Sequence, residues 1–101
     1  MTGLAAAVLC LGITGAALAH TPLCSCYDNG DGTVLCEGGF SDGSSAAGVK
    51  MLVKDGGGVV LVEGAIDENG EYTFPKPDGA FTVHFEGGEG HAITIKSNDI
   101  Y

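Results

Sequence analysis

The sequence predicts an all-β protein, a small antiparallel β-sandwich of six or seven strands that follows an N-terminal signal segment. Three observations lead to this class. Apolar and polar residues alternate with a period of two in several short segments. Turn sequences rich in glycine separate these segments, and the chain of 101 residues contains 18 glycines. Beyond residue 19, no segment repeats apolar residues at helical spacing, so strands joined by short turns are expected to bury their apolar faces between two sheets.

Residues 1–19 are predicted to be a signal peptide. The segment Leu4–Ala17 is apolar and uncharged, which suits the core of a signal and is short for a membrane-spanning helix. Ala17 and Ala19 fit the rule of small residues before a cleavage site, so His20 would begin the mature chain. The first three residues contain no lysine or arginine, and an uncleaved membrane anchor is therefore the alternative. The predicted location is periplasmic or extracellular.

The charge of the chain excludes several classes of partner and activity. There are 13 acidic residues against four lysines, no arginine, and a formal net charge of −9. Binding to nucleic acid requires basic contacts to phosphate, so no nucleic-acid partner is expected. An acidic surface instead attracts cations. No Ser-His-Asp order, phosphate-binding loop or catalytic pair of acids stands out, and the protein is predicted not to be an enzyme.

Residues 20–39 are predicted to form a hairpin that contains three cysteines. Its turn holds Asn-Gly and Asp-Gly pairs, which favour a tight reversal. Cys26 and Cys36 are equally distant in sequence from Asp31, so the two strands should place them opposite or near each other. A disulfide from Cys36 to either Cys26 or Cys24 would staple a domain that is marginal at this size. Export favours this oxidation, and the remaining thiol could pair with another chain.

A metal site is the alternative use of the same cysteines. In an extended segment His20, Cys24 and Cys26 share one face of the strand. With Cys36 nearby, three thiolates and one imidazole would form a set that zinc binds tetrahedrally. Soft thiolates also suit copper(I) or nickel. The residue pattern leaves the disulfide and the metal cluster both open.

The chain is predicted to be organised around an acidic turn between two strands. The apolar strand Val59–Ile66 precedes the turn and is expected to be the central strand of a sheet. After the turn, Tyr72 and Phe74 share one face and are expected to lie in the core. Asp67 can bond its own downstream backbone, and Gly70 can adopt a positive φ. These features predict a hairpin with one buried face.

Two histidines lie near the last predicted turn of the core domain, residues 40–101. The other strands of this domain are predicted at Val49–Lys54, Phe81–Glu86 and His91–Lys96. His84 alternates with apolar residues and should point outward. If the last two strands pair about the turn at residues 87–90, His84 and His91 fall close to a cross-strand pair, with Glu86 or Glu89 nearby. Such a pair could bind a borderline divalent cation. Two solvated surface histidines are the alternative.

The run of residues 48–95 resembles a known domain family. The order D-x-x-G-x-Y-x-F that begins at Asp67, together with the closing strand pair, is similar to carboxypeptidase regulatory-like, or prealbumin-like, domains. This resemblance implies an immunoglobulin-like or prealbumin-like sandwich. More narrowly, FSDGSSAAG at residues 40–48 and GEGHA at residues 88–92 resemble small periplasmic accessory proteins of bacterial nickel and cobalt uptake transporters. Mature chains of that group often begin with histidine, which implies a role for His20.

Two hypotheses of function follow. In the first, the protein is a secreted or periplasmic non-catalytic domain that binds nickel or cobalt, with zinc or copper as alternatives, and assists membrane transporter subunits. Its candidate metal ligands are His20, His84, His91, Cys24, Cys26 and Cys36. In the second, it is a structural extracellular sandwich that assembles with copies of itself into a filament or surface complex, with the cysteines as staples. Metal affinity would support the first, and self-association without metal the second.

Overall fold

A computed structural model describes residues 21–88 and 90–101 of the chain. The predicted signal peptide, its alternative as an anchor, His20 and Glu89 lie outside these residues. The described chain forms seven strands and one short 3₁₀ helix: β1 (Pro22–Asp28), β2 (Thr33–Phe40), β3 (Lys50–Asp55), β4 (Val60–Ala65), β5 (Glu71–Pro75), β6 (Phe81–Glu86), β7 (Ala92–Lys96) and the 3₁₀ helix Ser97–Asp99. Within the described ranges, no helix has the length and apolar character needed to cross a membrane.

The strands form two antiparallel sheets, which confirms the predicted all-β sandwich. Sheet A has three strands in the order β1-β2-β5, and sheet B has four in the order β4-β3-β6-β7. The cysteine hairpin predicted at residues 20–39 corresponds to β1 and β2 and supplies two of the three strands of sheet A. Strand β2 continues to Phe40, one residue beyond the predicted hairpin.

Alternation along the strands directs one face of each sheet into a shared core. The buried residues come from both sheets and from the segments that join them: Cys26, Val34, Cys36, Ala46, Met51, Val53, Ile66, Phe74, Phe81, Val83 and Phe85. The Phe74 ring of sheet A meets the Phe81 ring of sheet B edge to face, with centroids 6.0 Å apart. Tyr72 stacks on Phe74, with ring centroids 5.8 Å apart. Phe74 is buried in the core as predicted, whereas Tyr72 is only half-buried.

The turn at Asp67 has the predicted local geometry, but the hairpin prediction is wrong. Asp67 Oδ1 accepts hydrogen bonds from the amides of Asn69 at 2.8 Å and Glu71 at 2.9 Å, and Gly70 has a φ of 81°. However, β4 belongs to sheet B, whereas β5 pairs with β2 in sheet A. The turn therefore carries the chain from one sheet to the other. Turn residues specify the reversal, while the contact with the distant strand β2 decides which sheet β5 joins.

Strand β4 is an edge strand of sheet B, so the prediction of a central strand is also wrong. Only β3 borders it. Val59, Val60 and Leu61 are 61%, 47% and 47% exposed. A continuous apolar run is compatible with burial on both faces, but sequence periodicity alone does not establish that burial.

The two seams between the sheets differ. At the seam between β4 and β5, the Tyr72 ring covers Gly64, and a Cβ added to Gly64 would lie 2.8 Å from Tyr72 Cζ. The absence of a side chain at Gly64 thus allows the ring to close this seam. Burial raises the pKa of the Tyr72 hydroxyl. At the opposite seam, β1 and β7 lie against each other.

Aspartates organise the turns, which accounts for part of the acidic composition. The side chains of Asp28, Asp31, Asp42, Asp55 and Asp67 each accept a hydrogen bond from the amide two residues further on. The Lys76 ammonium, 2.7 Å from the Asp28 carboxylate, lowers the pKa of that carboxyl group, and the Gly30 amide adds to the effect. These charges therefore have a structural role.

Replacing Phe74 by Ala should lower the free energy of unfolding by about 3–5 kcal/mol, because it empties an aromatic site where the two sheets meet. Chemical denaturation followed by far-UV circular dichroism measures this change. Thr73→Ala is the matched control, since Thr73 lies on the same strand but is exposed; we expect it to change stability by no more than about 0.5 kcal/mol. Equal effects of the two substitutions would contradict the assigned faces of β5.

Candidate functional site

The described cysteines form one disulfide and one free thiol. Cys26 and Cys36 are opposite each other in the β1–β2 register and are joined by a disulfide, whereas Cys24 is free. The Asn29 amide donates to the Thr33 carbonyl at 3.0 Å, so alternation makes Cys26 and Cys36 a non-hydrogen-bonded pair. Such pairs bring the strands closest, and their Cα atoms are 4.0 Å apart. The structure thus confirms the predicted disulfide and selects Cys26 as the partner of Cys36.

The disulfide removes two of the three predicted thiolate ligands of a metal site. With Cys26 and Cys36 oxidised, the three-thiolate set proposed from the sequence is not formed. Within residues 21–88 and 90–101, no group of three His, Cys, Asp or Glu side chains is placed to hold a metal ion. His20, the fourth member of the proposed set, lies outside the described residues. A metal site that uses His20 and Cys24 therefore stays a prediction.

Cys24 lies in an environment that suppresses its reactivity. Its side chain shares the inward face of β1 with Cys26, is half-buried and packs against the core. Burial raises the pKa of the Cys24 thiol to about 11. Because the thiolate is the form that attacks disulfides and binds metals, Cys24 is a weak nucleophile and a weak ligand near neutral pH.

His84 has the predicted outward orientation and is bonded on both ring nitrogens. It lies on the outer face of sheet B, where Nε2 is 2.7 Å from Thr82 Oγ1 and Nδ1 is 3.4 Å from Thr94 Oγ1. Partial burial lowers the pKa of the imidazole, and the Lys54 charge lowers it further, while Glu86 acts in the opposite direction. The ring is therefore a neutral partner of two hydroxyls, so a metal would have to displace one of these contacts.

His91 does not form a cross-strand pair with His84, and this prediction is wrong. The β6–β7 register pairs His84 with Thr94, and the Gly87 amide donates to the His91 carbonyl at 3.1 Å. The lack of a side chain at Gly87 permits this close approach, since a Cβ there would lie 2.7 Å from the His91 carbonyl oxygen. His91 therefore has the parity of the core-facing residues, and its ring meets the Phe40 ring edge to face at 6.1 Å. The two imidazoles lie on opposite faces of sheet B.

A groove of about 420 Å³ lies at the seam between β1 and β7. Its lining residues are Cys24, Ser25, Cys26, Tyr27, Ile95, Asp99 and Tyr101. Consecutive residues of a strand point to opposite faces, so a cavity that contacts residues 24–27 lies along the edge of β1. We call it the β1 groove. The sequence did not predict this groove, because Ile95, Asp99 and Tyr101 reach β1 only in the folded sandwich.

Comparison with known proteins adds no family assignment. No protein-family model matches the sequence, and searches of the curated proteins and of the solved structures gave no match. The resemblance to prealbumin-like domains and to nickel and cobalt transporter accessories therefore stays a prediction.

Alkylation should distinguish Cys24 from the disulfide. In protein purified without reductant, we expect Cys24 to be labelled by iodoacetamide after unfolding, and Cys26 and Cys36 only after reduction. In native protein at about pH 8, Cys24 should react at least about tenfold more slowly than after unfolding, because its raised pKa leaves little thiolate. Peptide mapping by mass spectrometry measures the labels, and Cys24→Ala is the control. Labelling of Cys36 without reductant would contradict the disulfide assignment.

The metal prediction has a direct test at His20. A chain that begins at His20 would offer its α-amine and imidazole to one cation, and imidazole suits nickel and cobalt. Calorimetric titration with Ni²⁺ should show tighter binding for this chain than for a version with one glycine added before His20. Equal affinity of the two versions, or no binding by either, would refute the N-terminal chelate.

Proposed function

We propose that this chain is a structural, non-catalytic β-sandwich module of an extracellular or periplasmic assembly, and that it associates with copies of itself through β4. The observation that carries this proposal is the row of exposed apolar residues Val59, Val60 and Leu61, the last two on an edge strand. Edge strands present unpaired backbone groups to other chains, and an exposed apolar edge promotes such pairing. The disulfide in the core agrees with an oxidising location.

The backbone of β4 supplies hydrogen-bonding groups for a second strand. The Ile66 amide donates to the Val49 carbonyl at 2.9 Å, and the paired residues of an antiparallel ladder alternate. Val62, Gly64 and Ile66 therefore direct their backbone groups toward β3. Glu63 and Ala65 direct theirs away from it, toward the open edge of sheet B.

Leu61 is an exposed apolar residue of β4 that has no partner in β3. The register pairs Val53 with Val62 and Lys54 with Val60, so a bulge leaves Leu61 without a partner of its own in β3. A bulge limits long edge pairing. The contact supported by β4 is therefore a short pairing reinforced by the exposed leucine.

A two-fold pairing of β4 with β4 of a second copy avoids a clash of charges. Antiparallel pairing about Val62 places Glu63 opposite Leu61 of the partner subunit, and not opposite a second glutamate. Within one copy, Lys50 Nζ lies 3.6 Å from Glu63 Oε1 and offsets part of its charge. Because each copy has a formal charge of −9, long-range repulsion should weaken self-association at low salt.

Leu61→Glu should abolish self-association, because it places a second glutamate opposite Glu63 of the partner subunit without disturbing the core. Sedimentation velocity at several protein concentrations, with EDTA present to remove metal, measures the association. Leu23→Glu is the matched control, since Leu23 is 53% exposed but lies on β1. We expect the unchanged protein and the control to associate alike, and more strongly as salt rises from about 50 to about 300 mM.

A monomer at all concentrations would refute the proposed self-assembly. Loss of association in both glutamate variants would remove β4 as the specific surface. Association that appears only on addition of nickel or cobalt would favour the metal hypothesis instead.

A further inference from the structure

We propose that the β1 groove binds an extended, basic peptide segment of a different protein, which adds to sheet A as a strand beside β1. This site lies beyond the proposed self-association surface. Strands β4 and β7 form the two opposite edges of sheet B, and the groove borders β7, so the sandwich separates it from β4. Main-chain hydrogen bonds to β1 would supply affinity, and the groove lining would select side chains.

The backbone of β1 has the required orientation. The Asn29 amide donates to Thr33 of the neighbouring segment at 3.0 Å, so residues of the same parity bond toward β2. Cys24, Cys26 and Asp28 have the other parity and direct their amides away from β2, toward the groove. Cys24 and Cys26 are also groove-lining residues.

The chain itself shows that this edge accepts a main-chain partner. The Asp28 amide donates to the main-chain oxygen of Tyr101 at 2.9 Å, which is the kind of bond that an added strand makes. In the part of the chain that the structure describes, the amides of Cys24 and Cys26 have no main-chain partner of this kind. These two amides are two residues apart, about 6.8 Å along a strand. Carbonyls that point to one side of an extended peptide have the same spacing. The segment that ends at Tyr101 therefore occupies one position of the edge and leaves the next two open.

The groove lining indicates the chemistry of the occupant. Ile95 and the Tyr27 ring offer apolar contact, and Asp99 is the acidic residue among the lining side chains. A volume of about 420 Å³ falls within the range of roughly 300–1,000 Å³ that is usual for ligand sites. An extended segment with small apolar residues and a lysine or arginine beside Asp99 matches this lining.

Charge favours a different protein over a second copy. The chain has no arginine, only four lysines, and a formal charge of −9. Its own exposed edge, β4, has the sequence VLVEGA, with a glutamate and no basic residue. A basic partner is instead attracted to the acidic surface at long range.

Peptide binding followed by NMR tests the proposal. The probe is a blocked pentapeptide of alternating valine and lysine, and the control peptide has glutamate in place of lysine. In ¹H–¹⁵N spectra of the purified protein, we expect the lysine peptide to shift the amide signals of Cys24, Cys26 and Asp99 and to slow hydrogen exchange at Cys24 and Cys26. Affinity should fall as salt rises from about 50 to about 300 mM, which is the opposite of the response expected for association through β4.

Two pairs of variants separate the contributions of charge and backbone. Asp99→Asn should weaken binding of the lysine peptide about threefold, while Asp78→Asn, with the same change in net charge, should leave it unchanged. Cys24→Pro removes the groove-facing amide without breaking a β1–β2 hydrogen bond and should weaken binding at least about fivefold. Cys24→Ala also changes the side chain but keeps the amide, and it should weaken binding less than Cys24→Pro. Far-UV circular dichroism and thermal melting establish that each variant is folded.

Equal binding of the lysine and glutamate peptides would overturn the charge selection, and so would equal effects of the two asparagine variants. Shifts confined to β4, or none at millimolar peptide, would overturn the site itself. Equal binding by Cys24→Pro and Cys24→Ala would show that the peptide does not add as a strand. Each of these results would leave the self-association proposal standing, because that proposal depends on Leu61 and is measured without peptide.

Discussion

The fold depends on the burial of Phe74 between the two sheets. Strand β5, which carries Phe74, pairs with β2 and is the third strand of sheet A, beside the two strands of the cysteine hairpin. In the β2–β5 register, Val34 lies opposite Phe74 and Cys36 lies opposite Tyr72, so the disulfide and the aromatic core adjoin each other. A domain with about 80 described residues buries only roughly 60% of the surface of its unfolded chain. Its stability therefore depends on a few large side chains and on one covalent link.

Sheets of three and four strands leave open edges at both seams, and the two seams are treated differently. At the β4–β5 seam, the Tyr72 ring covers Gly64 and closes the gap, but the apolar side chains of Val60 and Leu61 on β4 stay exposed. At the β1–β7 seam the gap remains as the β1 groove, with one main-chain bond at its end from Asp28 to Tyr101. Both candidate contact surfaces thus exist because the two sheets have open edges. They differ in chemistry, since one is an apolar edge and the other a partly acidic groove.

In residues 21–88 and 90–101, the acidic side chains are not gathered into a group that could hold a metal ion. Several aspartates accept hydrogen bonds from the backbone of their own turns, which is a structural use of the carboxylate. The histidines are likewise separated, since His84 bonds two threonine hydroxyls on the outer face of sheet B and His91 packs on Phe40 at the inner face. The acidic charge therefore acts on partners mainly through the long-range field, which attracts cations and repels copies of the same chain at low salt.

The sequence by itself determined the strands, the turns and the disulfide candidates, because these depend on local patterns. Alternation located Phe81–Glu86 to the residue, Asp67 and Gly70 specified their turn, and the symmetric spacing of Cys26 and Cys36 placed them opposite each other. Only the tertiary structure decided that β4 lies at an edge, that the Asp67 turn crosses between sheets and that His91 faces away from His84. It alone assembled the β1 groove, from residues more than 60 positions apart in the chain. The physical reason is that sheet membership and strand register follow from contacts between segments distant in sequence, whereas a local pattern is the same for a strand at the edge and a strand at the centre.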